Sequence, residues 1–76
     1  MKLDNVRKFQ RVSYIPGHAD GDALHPDCEH GTVSSKNNKY VFVKFDKQLK
    51  KFGWEGTTSQ SCRPEDLIQL VDIANS

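Results

Sequence analysis

Residues 31–46 read Gly31-Thr32-Val33-Ser34-Ser35-Lys36-Asn37-Asn38-Lys39-Tyr40-Val41-Phe42-Val43-Lys44-Phe45-Asp46, and this stretch decides the fold. In its second half, successive side chains would point to opposite faces of a pleated strand, so that Val41, Val43 and Phe45 form one face. Its first half, residues 31–35, is compatible with a second strand. The pair Asn37-Asn38 is typical of a tight turn, because asparagine tolerates positive φ. The stretch therefore predicts a β-hairpin.

Three further strands are expected on either side of this hairpin. Residues 8–15 form the first strand, which Pro16-Gly17 ends before a long polar loop. Residues 47–56 contain two glycines and show no clean alternation, so we expect a second long loop with at most a helical turn at its start. Residues 57–62 are compatible with a strand and residues 67–71 with the last one. Between them, Pro64-Glu65-Asp66-Leu67 predicts a single helical turn, because proline suits a first helical position and acids its N-terminal end.

The predicted core follows from this alternation. We expect seven apolar side chains to be mainly buried: Val12, Val33, Val41, Val43, Phe45, Leu67 and Ile68. Cys62 is expected to be a small core residue. Phe52 is expected to cover the core, whereas Trp54 lies between glycines and is expected to be partly exposed.

Size and composition limit the class of protein. The 76 residues suffice for one domain, and 36% hydrophobic with 9% aromatic residues is too apolar for a disordered chain. No apolar run approaches the roughly 20 residues of a membrane helix. The basic N-terminal residues precede no apolar stretch of the kind found in signal peptides, so we expect a cytoplasmic protein with no membrane partner. Reduced Cys28 and Cys62 are expected for the same reason.

The order of these elements resembles SH3-like barrels of the Tudor and KOW type. The resemblance rests on Gly31-x-Val33 leading into residues 40–45, and on the closing turn Pro64-Glu65-Asp66-Leu67. It covers about residues 8–71 and implies one all-β domain over residues 1–76: a five-stranded SH3-like barrel with frayed ends, a long loop after strand 1 and a single helical turn before the last strand. Residues 25–35 are also similar to short proteins of bacteriophages and prophages, a likeness that brings no activity with it. Barrels of this type bind nucleic acids, peptides or proteins, so the fold alone does not choose a ligand.

A basic and aromatic segment is the first candidate site. Residues 36–51 carry six lysines and one aspartate. Lysines interleaved with flat rings suit phosphate neutralisation and base stacking, so we expect a nucleic acid or another acidic macromolecular surface as the partner. The expected binding residues are Tyr40, Lys44, Lys47, Lys50, Lys51, Phe52 and Trp54. The same rings are also compatible with a core role, and Trp54 with an anchor for a protein.

The segment from His18 to His30 is the second candidate site. It contains all three histidines of the chain, one cysteine and four acids, but no lysine or arginine. His18, His25, Cys28 and His30 are the types of side chain that bind zinc, although their spacing matches no standard zinc finger. A polar loop in which these side chains cap turns is the alternative. Zinc is therefore the cofactor that this segment favours, and a calcium loop at Asp20-Gly21-Asp22 is the weaker alternative because most of its ligand pattern is missing.

These observations favour a non-catalytic binding module of the phage or prophage type over an enzyme. Cys28 with a nearby histidine would need an orienting group and an oxyanion hole, and neither is recognisable. Plasmid-encoded dihydrofolate reductases are small SH3-like barrels, but the motif of their active pore is not visible here. A small-molecule ligand is not expected. The competing hypothesis is an inhibitor or adaptor, stabilised by zinc or not, that docks on a host protein through Trp54 and residues 18–30.

Overall fold

A computed structural model describes residues 1–22 and 24–70. The five strands are β1 (Arg11–Tyr14), β2 (Glu29–Lys36), β3 (Val41–Phe45), β4 (Gln60–Cys62) and β5 (Leu67–Gln69). One α-helix, α1 (Asp46–Gly56), connects β3 to β4, and short 3-10 turns occupy Leu3–Asn5, Gly17–Ala19 and Pro64–Asp66. The last of these turns lies where the sequence predicts a single helical turn. The predicted strand end at Val71 and the predicted fraying of residues 72–76 lie outside the described residues.

The strands form one antiparallel sheet in the order β4-β3-β2-β1-β5. The sheet curls into a half-barrel, with β4 and β5 as its edges, so the predicted five-stranded, mainly β architecture is confirmed at this level. The register of β2 against β3 shifts between Val33 and Ser35. A bulge of this kind increases the local twist and helps to bend the sheet.

The predicted hairpin is confirmed, but its turn works differently from the prediction. Val33 lies opposite Val43 across β2 and β3. Neither Asn37 nor Asn38 has a positive φ. Instead, the Asn37 side-chain oxygen accepts hydrogen bonds from the backbone N–H groups of Lys39 and Tyr40, at 2.8 and 2.7 Å. The asparagine therefore closes the turn with its side chain rather than with a left-handed backbone.

The core lies on the concave face of the sheet. Val12, Val33, Val41 and Val43 have no exposed surface, and Phe45, Cys62 and Leu67 are buried with them. Ile68 was expected in this group, and that prediction is wrong: its side chain is 38% exposed. Because Leu67 points inward and successive residues of a strand face opposite sides, Ile68 must face outward. The packed region also begins before residue 8, since Val6 is buried in the same cluster.

Gly31 is required by close packing between β2 and β3. A Cβ atom at this position would lie 2.5 Å from Cγ1 of Val43 and 2.9 Å from the carbonyl oxygen of Lys44. Both distances are shorter than van der Waals contact. The absence of a side chain thus allows the two strands to approach where Gly31 faces Phe45.

The loop predicted after residue 46 is wrong, because residues 46–56 form helix α1. Residues 47–51, Lys-Gln-Leu-Lys-Lys, are strong helix formers, and this local preference outweighs the glycines that follow. The effect of the glycines is confined to the end of the helix, where Gly53 has φ 74° and interrupts it. Phe52, expected to cover the core, is instead 53% exposed on this helix.

No helix in residues 1–22 and 24–70 has both the length and the apolar character needed to cross a membrane.

Candidate functional site

A strained turn precedes β1 and presents an aromatic ring to solvent. The backbone N–H of Gln10 donates to the carbonyl of Arg7 at 3.2 Å, so residues 7–10 form a β-turn. Its third residue, Phe9, has φ 71°, a conformation that normally favours glycine or asparagine. The Phe9 side chain is 61% exposed. This turn explains why β1 begins at Arg11 rather than at the predicted residue 8.

The surrounding fold holds Phe9 in this conformation. Its N–H donates to the carbonyl of Val33 at 2.8 Å, and the N–H of Val33 donates to the carbonyl of Gln10 at 2.9 Å. A left-handed conformation costs a residue with a Cβ atom about 1–2 kcal/mol. Non-glycine residues in such conformations cluster at functional sites, so the exposed ring is a candidate for function.

Phe9 lies against Trp54, and we call these two residues the aromatic pair. Their ring centroids are 5.4 Å apart and the ring planes are tilted by 44°. Trp54 is half-buried, as the sequence predicts, and it follows the helix interruption at Gly53. The aromatic pair therefore joins the turn before β1 to the end of α1.

Lys44 fixes the position of Trp54. On β3, its ammonium group lies 4.4 Å from the indole centroid and donates a hydrogen bond of 2.5 Å to the Trp54 carbonyl oxygen. Such a cation–π contact is typically worth about 0.5–2 kcal/mol, depending on exposure. Lys44, one of the expected binding residues, thus contacts the half-buried Trp54 in the structure.

The other predicted lysines, and Lys8 in addition, carry charges that could contact a ligand. Lys51 lies 5.5 Å from the ring of Phe52, its neighbour on α1, and Lys8 lies 5.2 Å from the ring of Phe9. Within the part of the chain that the structure describes, Lys8, Lys47, Lys50 and Lys51 form no salt bridge. Among the described residues, none of these four charges is neutralised by a salt bridge, although Lys50 helps to lower the pKa of Asp46, so they can attract an anionic partner.

Tyr40 does not belong to the aromatic pair. Its side chain lines a cavity of about 330 Å³ beside Tyr14, β4 and the turn at residues 64–66. The ammonium group of Lys39 lies 5.9 Å from the Tyr40 ring. The structure thus places Tyr40 in a separate hollow beside β4, one edge of the described sheet.

A salt bridge lies beside the aromatic pair. Two nitrogens of the Arg11 guanidinium donate to the two carboxylate oxygens of Asp46, at 2.6 and 2.7 Å. The same guanidinium donates to the hydroxyl of Thr32, which lies between Arg11 and Lys44 across the sheet. Hydrogen bonding to Arg11 lowers the pKa of Asp46. The bidentate pair connects β1 to the first turn of α1.

The second candidate site is the loop before β2, where two histidines meet one carboxylate. His18 Nε2 and Asp27 Oδ2 are 2.7 Å apart, and His25 Nδ1 lies 4.0 Å from the same oxygen. The two imidazole rings are 5.3 Å apart, at 79°. The hydrogen bond with His18 is the main cause that lowers the pKa of Asp27.

Cys28 and His30, which the sequence groups with these histidines, are placed apart from them. The Cys28 thiol donates to the carbonyl of Asp22 at 3.2 Å. His30 is exposed on β2 opposite Ser13. Both residues line a cavity of about 410 Å³ between residues 26–30 and residues 45–47, so Lys47 faces this loop rather than the aromatic pair.

Sequence reasoning missed two residues of these sites. Phe9 was assigned to a strand, because nothing in residues 8–15 signals a positive φ at a phenylalanine. The only local indications of a binding role for Phe9 were its aromatic ring and its position next to Lys8. Asp27 was counted among the acids of the loop but not as a partner of the histidines, although it follows His25-Pro26 in a pattern typical of a turn.

Comparisons of this chain with protein-family models, with curated proteins and with solved structures found no match.

Proposed function

We propose that this chain is a non-catalytic module that binds single-stranded nucleic acid through the aromatic pair Phe9 and Trp54. The observation that carries the proposal is Phe9: it is exposed, it is held in a left-handed conformation, and it lies against the only tryptophan of the chain. An exposed phenylalanine in such a turn weakens the fold, so its presence points to contact with a ligand.

Stacking is the interaction that these rings offer. Unpaired bases expose flat faces that stack on aromatic side chains, with about 1–3 kcal/mol per base, whereas bases inside a duplex are already stacked on each other. The exposed Phe9 ring provides such a platform, and Trp54 lies beside it with the ring centroids 5.4 Å apart. This favours single strands over duplexes as the partner.

The free lysines supply the attraction for the phosphate backbone. Lys8 adjoins Phe9, and Lys50 and Lys51 lie on α1 a few residues before Trp54, whereas Lys47 faces the loop of residues 18–30. Each phosphate that they neutralise releases counterions and makes binding sensitive to salt. The acids of residues 18–30 carry the opposite charge and disfavour the backbone at that side of the protein.

We infer that the half-barrel is of the SH3-like type and that the protein acts as an accessory factor of a phage or prophage in the host cytoplasm. The order of five short strands, the long loop after β1 and the 3-10 turn before β5 support the fold type. The likeness of residues 25–35 to phage and prophage proteins supports the biological setting.

A second candidate function is docking on a host protein through the loop of residues 18–30. The observation in its favour is Leu24, whose side chain is 92% exposed in an acidic loop. An apolar side chain surrounded by acids is a suitable anchor for a partner with a basic rim around an apolar pocket.

Binding measurements with matched alanine variants separate the two functions. Fluorescence anisotropy of a labelled single-stranded oligonucleotide should report weaker binding for Phe9→Ala and Trp54→Ala, by roughly 1–3 kcal/mol if one base stacks. Leu24→Ala removes an apolar side chain that is still more exposed and lies elsewhere, and it should leave this affinity unchanged. Replacing Lys50 and Lys51 together by glutamine should flatten the salt dependence by about 0.7 logarithmic units per lost phosphate contact.

A lysate pull-down before and after nuclease treatment gives an independent test. Loss of the captured partners after nuclease treatment supports nucleic-acid binding. Retention of one host protein, released by Leu24→Ala but not by Trp54→Ala, would instead support the docking function and reject the aromatic pair as the binding surface.

A further inference from the structure

A cluster of metal-ligating side chains outside the aromatic pair lies in the loop before β2. His18, His25 and Asp27 each offer one donor atom, and these three atoms lie within 4.8 Å of one another. Donors that surround a zinc ion at about 2.0–2.2 Å in a tetrahedron are about 3.4 Å apart. The observed separations of 2.7 and 4.0 Å to Asp27 Oδ2 fall on both sides of this value. Small side-chain adjustments are therefore enough to bring the three donors onto one ion.

The backbone of the loop is already shaped for this arrangement. The N–H of Cys28 donates to the carbonyl of His25 at 3.0 Å, which closes a turn with Pro26 at its second position. Asp22 stabilises the preceding residues, because its carbonyl accepts from the N–H of His25 and its carboxylate accepts from the N–H of Leu24. None of these three hydrogen bonds uses a side-chain atom that would bind the ion. An ion would thus find the backbone N–H groups of Leu24, His25 and Cys28 already hydrogen-bonded.

The hydrogen bonds of the ligands themselves are compatible with metal binding. His18 is linked to Asp27 through the ring nitrogen that would bind the ion, so the metal takes the place of a proton between them. Nδ1 of His25 accepts a hydrogen bond from the backbone N–H of Asp27 at 3.0 Å, which shows that its lone pair faces the loop. Coordination at Nδ1 would replace that bond.

We propose that His18, His25 and Asp27 form a binding site for one divalent transition-metal ion, with zinc as the preferred ion and with an open position for solvent. Two imidazole nitrogens and one carboxylate suit zinc, copper, nickel or cobalt, whereas magnesium and calcium prefer sites made of oxygen ligands. The ion would join the 3-10 turn that carries His18 to the turn that enters β2. This site is independent of the aromatic pair.

Cobalt titration of the metal-free full chain tests both the site and its ligands. Binding should reach a single equivalent, produce the visible bands of a low-coordinate cobalt ion, and be reversed by zinc. Because the proposed ligands contain no sulfur, the near-ultraviolet charge-transfer band of a cobalt–thiolate bond should be missing. His18→Gln, His25→Gln and Asp27→Asn should each lower the affinity at least about tenfold.

Two variants serve as controls for the choice of ligands. Cys28→Ser and His30→Gln change metal-binding side chains in the same part of the chain, and both should bind cobalt like the wild type. A thiolate band, or loss of affinity in either control, would overturn the proposed ligand set. Absence of cobalt and zinc binding at millimolar concentration would overturn the site itself. The proposed ligands are exposed or half-exposed, and circular dichroism of each variant establishes that it is folded.

Discussion

The ammonium group of Lys44 lies 4.4 Å from the centroid of the Trp54 indole ring and donates a hydrogen bond to the carbonyl oxygen of the same residue. Lys44 of β3 thereby holds both the backbone and the ring of Trp54, which follows the helix interruption at Gly53. Phe9 then lies against that ring from the turn before β1. The proposed binding surface is thus built from three separate segments of the chain, and the sheet fixes their relative positions.

The positive φ of Phe9 predicts that glycine at this position stabilises the fold more than alanine does, the reverse of the usual order. Phe9→Gly should be more stable than Phe9→Ala by roughly 0.5–1 kcal/mol, because glycine adopts positive φ without steric cost. At neighbouring Lys8, which has no positive φ, the alanine variant should be the more stable one. Urea unfolding of the four variants measures both differences. Equal stability of the two Phe9 variants would show that the turn is not strained.

The contact between β2 and β3 at Gly31 predicts a steric defect. Gly31→Ala should destabilise the protein by about 1–3 kcal/mol, since the added methyl group meets Val43 and the Lys44 carbonyl. Gly17→Ala is the matched control, because a Cβ atom there has no atom within 4 Å. Its unfolding free energy should change by no more than about 0.5 kcal/mol. A tolerated Gly31→Ala would contradict the register of the hairpin.

The pair Arg11–Asp46 predicts a dependence of stability on pH. The folded-state pKa of Asp46 lies below its unfolded value, so the pair stabilises the fold above about pH 4 and this contribution is lost as the pH falls through the folded pKa. Because both side chains are partly exposed, Asp46→Asn should cost no more than about 1 kcal/mol at neutral pH. The difference from the wild type should vanish in acid.

Glu55→Gln is the control for this effect, because it removes an exposed acid that has no salt bridge among the described residues. Its unfolding free energy relative to the wild type should change little between neutral and acidic pH. An Asp46→Asn difference that persists undiminished at low pH would mean that the carboxylate charge contributes nothing.

The two cysteines should differ in reactivity. Burial is the main cause that raises the pKa of the Cys62 thiol to about 11, whereas Cys28 is only half-buried. A thiol reagent at mildly alkaline pH should therefore modify Cys28 in the folded protein and reach Cys62 only after unfolding. Cys28→Ser should abolish the fast reaction. Rapid modification of Cys62 in the folded variant would show that the core is open at β4.

Several parts of this fold were predictable because they depend on local patterns. The alternation of Val41, Val43 and Phe45 identifies the inner face of β3 without knowledge of any partner. Helix α1 was missed because glycines and strong helix formers share one segment. Composition does not show that the helix formers start the helix and that a glycine interrupts it only near its end. Ile68 was misplaced because an apolar run does not reveal which of its residues faces inward.

The binding surface was less predictable because it depends on distant contacts. The positive φ of Phe9 is maintained by a hydrogen bond to Val33, far along the chain. The contact of Phe9 with Trp54 requires the break at Gly53 as well as the curvature of the sheet. In the histidine loop the clustering of residues was informative, but the turn at Pro26 decides that Asp27 rather than Cys28 adjoins the histidines.

Trp54 emission during titration with a single-stranded oligonucleotide tests the central claim most directly, because Trp54 is the only tryptophan of the chain. If a base stacks on the aromatic pair, the emission should be quenched to saturation at low salt, and the titration should shift to higher oligonucleotide concentration as salt increases. Phe9→Ala should weaken the same titration. Unchanged Trp54 emission at millimolar oligonucleotide and low salt would contradict nucleic-acid binding by this surface.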